Sequence, residues 1–145
     1  MLFHLTEWER ALRLQDYISL ILLDLNGFKA YNRAHGYLAG NTALCLIADC
    51  LSREIRGAGT EVARFSGNEF AILLPGYKEH DTKATADRIE QAIAALNIDN
   101  RASDADGILT ATIGHATVSP SEDTAVYSLV DGAATDIKTK RRAQQ

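Results

Sequence analysis

The sequence predicts an α/β (α+β) domain, in which helices pack on a mostly antiparallel sheet. Ile18–Leu25 is almost uniformly apolar and branched, which is typical of a strand buried on both faces. Two strand-like runs, 61–65 and 70–74, then flank the short turn 66–69. That spacing predicts a β-hairpin, and hairpin strands pair antiparallel. Because helical patterns precede, separate and follow these strands, the class is a sheet with helices packed on it.

The remaining elements follow from helical periodicity and from turn residues. Thr6 followed by Glu9 predicts a capping box at the start of a first helix. His35 and Gly36 end a short helix, and Asp81 can cap a later one. The predicted order is α-β-α-α-β-β-α-β-α. The segments assigned to helices are 6–15, 28–34, 41–55 (beginning near Asn41), 81–96 and 121–137, and a further strand is expected at 108–118.

The composition indicates one ordinary globular domain spanning residues 1–145. It is 46% hydrophobic and 23% charged, which excludes disorder. The net charge of −4 offers no electrostatic reason to expect nucleic acid or an anionic membrane as partner. No run approaches the roughly 20 apolar residues of a transmembrane helix, and no signal-peptide pattern is present, so we expect the cytoplasm. A local basic cluster near the C-terminus comprises Lys138, Lys140, Arg141 and Arg142.

The two cysteines, Cys45 and Cys50, lie five positions apart in a predicted helix. This spacing is roughly 140° around the helix axis, so the two thiols cannot form a disulfide while the helix is intact. Both are expected to be small core residues in a reducing compartment.

Three segments carry motifs with a recognisable spacing and order. They read LLDLNGFK at 22–29, ARFSGNEFAILLP at 63–75 and TATIG at 110–114. These segments resemble the L-D-x-D-x-F-K, A-R-x-G-G-D-E-F-x-x-x-L-P and T-x-S-I-G motifs of the GGDEF (diguanylate cyclase) family. A weaker fourth match sets Lys138 and Arg142 on the lysine and arginine of the family's closing A-K-x-x-G-R. The resemblance therefore extends over residues 18–142.

The resemblance implies a nucleotidyl-cyclase-like fold with the signature on a β-hairpin. In the family, two such domains face each other and each brings one GTP. Each GTP attacks the other's α-phosphate with its 3′-hydroxyl, which gives cyclic di-GMP and pyrophosphate, and two divalent cations (Mg²⁺) bridge phosphates and carboxylates. The resemblance therefore implies a homodimer, and sensory or EAL phosphodiesterase domains as neighbours in a longer chain of which these residues are a fragment.

The resemblance assigns the metal to Asp24, to the Leu25 carbonyl and to Glu69. Asp24 closes a buried strand, where a carboxylate needs a partner; the alternative is that it caps the next turn. For Glu69 the alternative is a solvated hairpin charge. Because both acids are present, we expect a weak or conditional Mg²⁺ site that assists GTP binding.

The signature departs from the family at two positions. Asn68 replaces the acid that the family uses as a metal ligand and in activating the attacking hydroxyl. Its amide oxygen can coordinate Mg²⁺ but brings no charge and accepts no proton. The structural alternative is that Asn68 is present because the turn needs a residue with a left-handed backbone conformation. Ser66 replaces the first glycine, which costs about 1 kcal/mol or more if the position needs a positive φ. Gly67 remains, so the turn should survive.

Five further residues match nucleotide-binding positions of the family. Asn32 and Asn41 stand where guanine is held, and Asn41 replaces an aspartate there. An amide oxygen accepts from guanine but its NH₂ group repels the guanine donors, and Asn41 can alternatively be a helix N-cap. Lys29, Lys138 and Arg142 match phosphate-contacting cations, although the helix dipole also favours cations near a helix C-terminus.

These departures predict a degenerate GGDEF domain that is catalytically inactive and serves as a GTP-binding regulatory or interaction module in cyclic di-GMP signalling. One alternative is an active diguanylate cyclase that tolerates Asn68 and Ser66; another is a structural dimerisation domain without nucleotide binding. Residues 58–61 stand where relatives carry the R-x-x-D of a product-binding inhibitory site, and they contain no arginine. We therefore expect no cyclic di-GMP binding at that segment.

Overall fold

Within the part of the chain that the structure describes, a four-stranded antiparallel sheet lies between two layers of helices. The computed structural model describes residues 6–55, 57, 59–102, 107–121 and 127–144. The order of its elements confirms the predicted pattern and fold class. In chain order they are α1 (Thr6–Leu14), β1 (Ile18–Leu25), α2 (Phe28–His35), α3 (Tyr37–Glu54), β2 (Glu61–Ser66), β3 (Glu69–Pro75), α4 (Glu79–Ala95), β4 (Ala111–Val118) and α5 (Tyr127–Ala143).

β1 lies inside the sheet, whose strand order is β2-β3-β1-β4. Every residue of β1 except Asp24 is buried, which confirms the prediction of a strand covered on both faces. The strand pairings set Asp24 opposite Glu69 of β3 and opposite Thr112 of β4. The carboxylate at the end of β1 therefore has a strand on each side of it.

Alternate residues of β1 face two separate cores, as the two-residue period of a strand requires. Leu20 and Leu22 belong to a core shared with α1 and α5. Ile21 and Leu23 belong to a larger core shared with α2, α3 and α4. Asp24 continues the alternation of Leu20 and Leu22, so its side chain projects towards the layer that contains α5.

α5 packs closely on β4 because Gly114 has no side chain. A Cβ at Gly114 would overlap the carbonyl oxygen of Ala133 and would lie 2.8 Å from Cγ1 of Ile137. Ala133 and Ile137 are both buried on the sheet-facing side of α5. The Asp136 carboxylate also accepts a hydrogen bond from the backbone N–H of His115 at 3.0 Å. These contacts set the height and the rotation of α5 above the sheet.

Two predictions about single residues are wrong, and a third holds from a different helix position. α3 begins one turn before Asn41, because the residues upstream continue the helix, so Asn41 is not an N-cap. Asp81 does cap α4, but from the third helical position, where its carboxylate accepts a hydrogen bond from the Lys78 backbone N–H at 3.2 Å. Cys45 is exposed, so only Cys50 is a core residue, although both thiols are free as expected.

Other predictions concern the limits of the elements. The strand expected at 108–118 is shorter, because Ile108 forms only an isolated bridge with Asp99 before β4 begins. The Thr6 side chain of the predicted capping box and Ala58 of the inhibitory segment lie outside the described residues.

No helix in the described ranges has the length and apolar character needed to cross a membrane.

Candidate functional site

A cleft of about 630 Å³ opens where β1, α2, α3 and the β2–β3 hairpin meet. A volume of this size falls within the roughly 300–1,000 Å³ that is typical of small-molecule sites. Most of the residues that the sequence assigned to a site line it: Asp24, Leu25, Lys29, Asn32, Asn41, Gly67 and Asn68. Two motifs that are distant in the sequence therefore meet at one cleft.

The Asn68 side chain lies against the two oxygens that the resemblance assigns to a metal. Its Nδ2 donates a hydrogen bond to Asp24 Oδ1 at 2.7 Å and a longer one to the Leu25 carbonyl oxygen at 3.4 Å. The Leu25 N–H in turn donates to the Asn68 carbonyl oxygen at 3.0 Å. An amide NH₂ group can only donate, so it takes the place next to these two oxygens where a cation would be bound.

Arg141 of α5 pairs with the Asp24 carboxylate. Its Nη1 lies 2.9 Å from Asp24 Oδ2, and its Nη2 lies 3.2 Å from Asn26 Oδ1. The Asp24 side chain is 16% exposed and the Arg141 side chain 40%, so the pair is partly shielded from water. Partial burial strengthens the attraction relative to a fully exposed ion pair. This partner explains how a carboxylate is accommodated at the end of a buried strand.

Asn26 orients the Arg141 guanidinium and ties it to β4. Besides Arg141, its Oδ1 accepts a hydrogen bond from the Thr112 hydroxyl at 2.9 Å, and its Nδ2 donates to Thr110 Oγ1 at 3.0 Å. Thr112 is the β4 residue opposite Asp24. The guanidinium is therefore held by side chains that two neighbouring strands position.

Arg141 reaches Asp24 because it lies one helical turn beyond Ile137. Four residues advance a helix by about 400°, so Arg141 points only about 40° away from the buried Ile137. Lys138 and Arg142 lie about 100° and 140° from Ile137; both are exposed and neither lines the cleft. The structure thus brings Arg141 to the site rather than these two residues, whose phosphate contacts stay a prediction.

Asn32 lines the cleft and carries an unpaired acceptor that faces Gly40. Its Oδ1 is buried and has no hydrogen-bond partner among the described residues. The side chain lies against Gly40 of α3, where a Cβ would overlap Oδ1 and lie 3.0 Å from Cγ. Gly40 therefore makes room for Asn32. A buried acceptor is unfavourable unless a donor satisfies it, and an N–H group of a ligand could do so once the Asn32 amide turns from Gly40 towards the cleft.

The hairpin turn presents Asn68 without any left-handed backbone. Ser66, Gly67 and Asn68 all lie outside the positive-φ region. Ser66 therefore carries no strain from a positive φ. The alternative interpretation of Asn68, as a turn residue with a left-handed backbone, is wrong. Arg64 stabilises the turn, since its Nη2 donates to the Gly67 carbonyl oxygen at 2.9 Å.

Glu69 lies beside Asp24 but does not line the cleft. Directly opposed residues of an antiparallel pair have Cβ atoms about 4.5–5.5 Å apart and project from the same face. Glu69 is only partly exposed, so it is not a fully solvated hairpin charge. Ser66, by contrast, is exposed and outside the cleft.

The donor set around Asp24, as it is arranged, does not fit a divalent cation. Mg²⁺ requires oxygen ligands in near-octahedral geometry. Here Asn68 offers an amide nitrogen, and Arg141 already brings a positive charge to Asp24. Within the described residues, no three or more His, Cys, Asp or Glu side chains are grouped as a metal site. A cation would have to displace Arg141 and turn the Asn68 amide through 180°.

Two residues of this site, Asn26 and Arg141, carry no role predicted from the sequence. Asn26 occupies the position of the second aspartate in L-D-x-D-x-F-K. The loss of that negative charge is the sequence feature that could have identified it as a site residue. Arg141 belongs to the C-terminal basic cluster, and its spacing of four residues from Ile137 would have identified it. Its neighbours in the cluster matched a family motif, whereas Arg141 did not.

Comparisons with known proteins identify relatives of this chain. The family model described as "Diguanylate cyclase, GGDEF domain" matches residues 3–145. Diguanylate cyclase DgcP of Pseudomonas aeruginosa is 40% identical over 91 residues, which are 61% of this chain and 13% of DgcP. Diguanylate cyclase TpbB of the same species is 33% identical over 132 residues, which are 90% of this chain and 29% of TpbB.

A solved structure has the same fold. The GGDEF domain of DgcB from Caulobacter crescentus, in complex with c-di-GMP, matches with a TM-score of 0.82 at 22% identity, covering 95% of this chain and 80% of that one. The fold and the hairpin signature define a cyclase-type α+β domain. The chain belongs to the GGDEF family of diguanylate cyclase domains. It spans less than a third of the length of either curated relative, with 13% of DgcP and 29% of TpbB.

Proposed function

We propose that this chain is a catalytically inactive GGDEF domain that binds GTP and serves as a regulatory or interaction module of cyclic di-GMP signalling. The observation that carries the proposal is the hydrogen bond from Asn68 Nδ2 to Asp24 Oδ1 at 2.7 Å. An amide at this position neither accepts a proton nor adds negative charge for a cation. Phosphoryl transfer depends on preorganised charge around the reacting phosphates, so the replacement removes what the chemical step needs.

Two features of the cleft support binding of a guanine nucleotide. The unpaired Oδ1 of Asn32, once turned from Gly40 towards the cleft, is suited to an N–H donor of the base, and Asn41 lines the cleft as a second candidate contact. The lining is also basic in a chain whose net charge is −4, which favours a polyphosphate. It contains one acid, Asp24, and three basic side chains, Lys29, Arg64 and Arg141.

Mg²⁺ is a conditional part of this proposal. Asp24 and Glu69 offer two carboxylates on one face of the sheet, and oxygen ligands of this kind suit the cation. A cation meets them only after Arg141 and Asn68 have released Asp24.

We also propose that residues 1–145 act as one domain in the cytoplasm, where GTP is available. The chain spans only 13% and 29% of two curated relatives. We therefore propose that the regulatory effect of this domain is exerted through a partner. That partner is a second copy of this domain or a neighbouring sensory or EAL phosphodiesterase domain.

Isothermal titration calorimetry with GTP, with and without Mg²⁺, tests the proposal. We expect saturable binding, and we expect Asn32→Ala to weaken it about tenfold, the factor that corresponds to 1.4 kcal/mol. Thr42→Ala, on an exposed position of α3, is the matched control and should bind as the wild type does. The absence of heat with GTP at millimolar concentration would favour the structural dimerisation domain. Cyclic di-GMP production by the wild type would favour the active cyclase.

A further inference from the structure

We propose that Arg141 is the built-in cation of this site, so that the cleft binds nucleotide phosphates without a divalent metal ion. This inference rests on the proposed nucleotide binding and specifies how the phosphate charge is neutralised. Its basis is the contact between Arg141 Nη1 and Asp24 Oδ2 at 2.9 Å. A positively charged guanidinium lies against the acid that the family resemblance assigns to metal.

The guanidinium can contact Asp24 and an anion at the same time. Arginine carries five N–H donors in a planar fork. The hydrogen bonds to Asp24 and Asn26 use one N–H of Nη1 and one of Nη2. Arg141 lines the cleft with 40% of its side chain exposed, so further N–H groups of the same fork can reach a ligand there. Guanidinium groups bind phosphate oxygens with two parallel hydrogen bonds.

Arg141 and a divalent cation compete for the same carboxylate. Asp24 Oδ2 accepts from Arg141, while Oδ1 accepts from Asn68. A cation at either oxygen would stand next to the guanidinium, and the like charges would repel each other. The Asn68 NH₂ group adds a second obstacle, because it presents hydrogen atoms where a ligand oxygen is required. The site therefore contains either Arg141 or a cation at Asp24, and its present side chains favour Arg141.

The neighbouring charges fit the same conclusion. Lys29 and Arg64 line the cleft together with Arg141, and Glu69 lies beside Asp24 outside it. Three basic groups face one lining acid, so the cleft itself supplies positive charge for a polyphosphate. Asn26 keeps the guanidinium in place through its own hydrogen bonds to Thr112 of β4 and to Thr110 just before that strand.

Titration calorimetry with GTP in EDTA and in Mg²⁺ tests the inference. We expect the wild type to bind equally well in both, within about twofold. Arg141→Gln should lose about tenfold in EDTA and should recover with Mg²⁺. Once the guanidinium is gone, the Asn68 amide can turn its oxygen towards a cation at Asp24, because an amide oxygen can ligate Mg²⁺. Arg141→Lys, which keeps the charge but not the fork, should be affected less. Lys83→Gln, an exposed charge on α4, should match the wild type, and circular dichroism checks that each variant is folded.

A second measurement uses Mn²⁺ alone as the probe and needs no nucleotide. Equimolar Mn²⁺ should broaden the backbone amide signals of Asp24 and Glu69 in Arg141→Gln but not in the wild type. Broadening in the wild type, its absence in the variant, or wild-type GTP binding that is about tenfold tighter with Mg²⁺ would overturn the inference. If no variant binds GTP, the proposed function fails, and the Mn²⁺ comparison still decides whether Arg141 excludes the metal.

Discussion

The Nδ2 atom of Asn68 lies 2.7 Å from Oδ1 of Asp24, although the two residues are 44 positions apart in the chain. They meet because β1 and β3 pair antiparallel in a register that sets Asp24 opposite Glu69. The contact joins a donor to a carboxylate and needs no cation. A second carboxylate at residue 68 would turn this attraction into repulsion.

Asn68→Asp is therefore expected to destabilise the protein in the absence of metal. The new acid would face Asp24, and we expect a loss of about 1–2 kcal/mol in the free energy of unfolding. Mg²⁺ should recover part of this loss, because a cation can bridge two carboxylates. Thermal unfolding with and without Mg²⁺ measures both effects. Asn68→Ala removes the donor without adding charge and should show no response to Mg²⁺. A metal-free Asn68→Asp protein as stable as the wild type would contradict the contact.

The wild type is expected to form no measurable cyclic di-GMP, and restoring activity should need several changes at once. Asn68→Asp should matter most, because loss of a preorganised charged group costs on the order of 100-fold in rate. Asn41→Asp restores the guanine acceptor, and Arg141→Gln frees Asp24. Ser66→Gly should add little, since Ser66 is exposed and unstrained. Groups that act on one bound nucleotide do not contribute additively.

Chromatography of the products at saturating GTP and Mg²⁺ measures this activity for the wild type and for all combinations. Robust product from the wild type would refute the inactive assignment. A single Asn41→Asp change that outperformed Asn68→Asp would place the defect in guanine binding instead of in the signature.

Gly40→Ala is expected to weaken both the fold and GTP binding. The added Cβ would overlap Asn32 Oδ1, so Asn32 must move away from its present position. Overpacking of this kind typically costs about 1–3 kcal/mol, measurable by urea denaturation. Calorimetry should show weaker GTP binding in parallel. Thr42→Ala on the same helix is the control for both measurements. An unchanged affinity in Gly40→Ala would show that the position of Asn32 does not matter for the nucleotide.

Gly114→Ala is expected to lift α5 from the sheet. A Cβ there would overlap the Ala133 carbonyl oxygen and crowd Ile137, at a cost of about 1–3 kcal/mol in the free energy of unfolding. The displaced helix should also separate Arg141 from Asp24, so Mn²⁺ should now broaden the Asp24 amide signal. Thr139→Ala, on an exposed position of α5, is the control and should neither lower the free energy of unfolding nor allow Mn²⁺ to broaden the Asp24 signal. Wild-type stability in Gly114→Ala would contradict the close packing of α5.

The two cysteines are expected to react at different rates with Ellman's reagent. Cys45 is exposed, whereas Cys50 is buried, and burial raises the pKa of the Cys50 thiol. Since the thiolate is the reactive form, Cys50 is less ionised at mildly alkaline pH and reacts slowly; raising the pH should speed its phase. Cys45→Ala should leave only the slow phase, and guanidinium chloride should make both thiols fast. A single fast phase of two thiols in the native protein would contradict the burial of Cys50.

Much of the fold could be predicted from the sequence because it depends on local patterns. The apolar run of β1, the hairpin around 66–69 and the helical stripes set the element order through periodicity alone. The burial of single residues and the exact ends of helices were harder to predict, because they depend on neighbouring residues. Cys45 lies off the buried side of α3, and α3 continues upstream of Asn41, because neighbours along the helix and in space decide these points.

For the candidate site, too, the sequence determined some features and the tertiary structure decided the others. The sequence by itself determined which motifs are present and that the signature carries an amide at Asn68. Only the tertiary structure decided that this amide donates to Asp24 and that Arg141, not Lys138 or Arg142, reaches the carboxylate. The physical reason is that helical residues one position apart point about 100° apart. The rotation of α5 is set by its packing on β4, a contact between segments that are distant in the sequence.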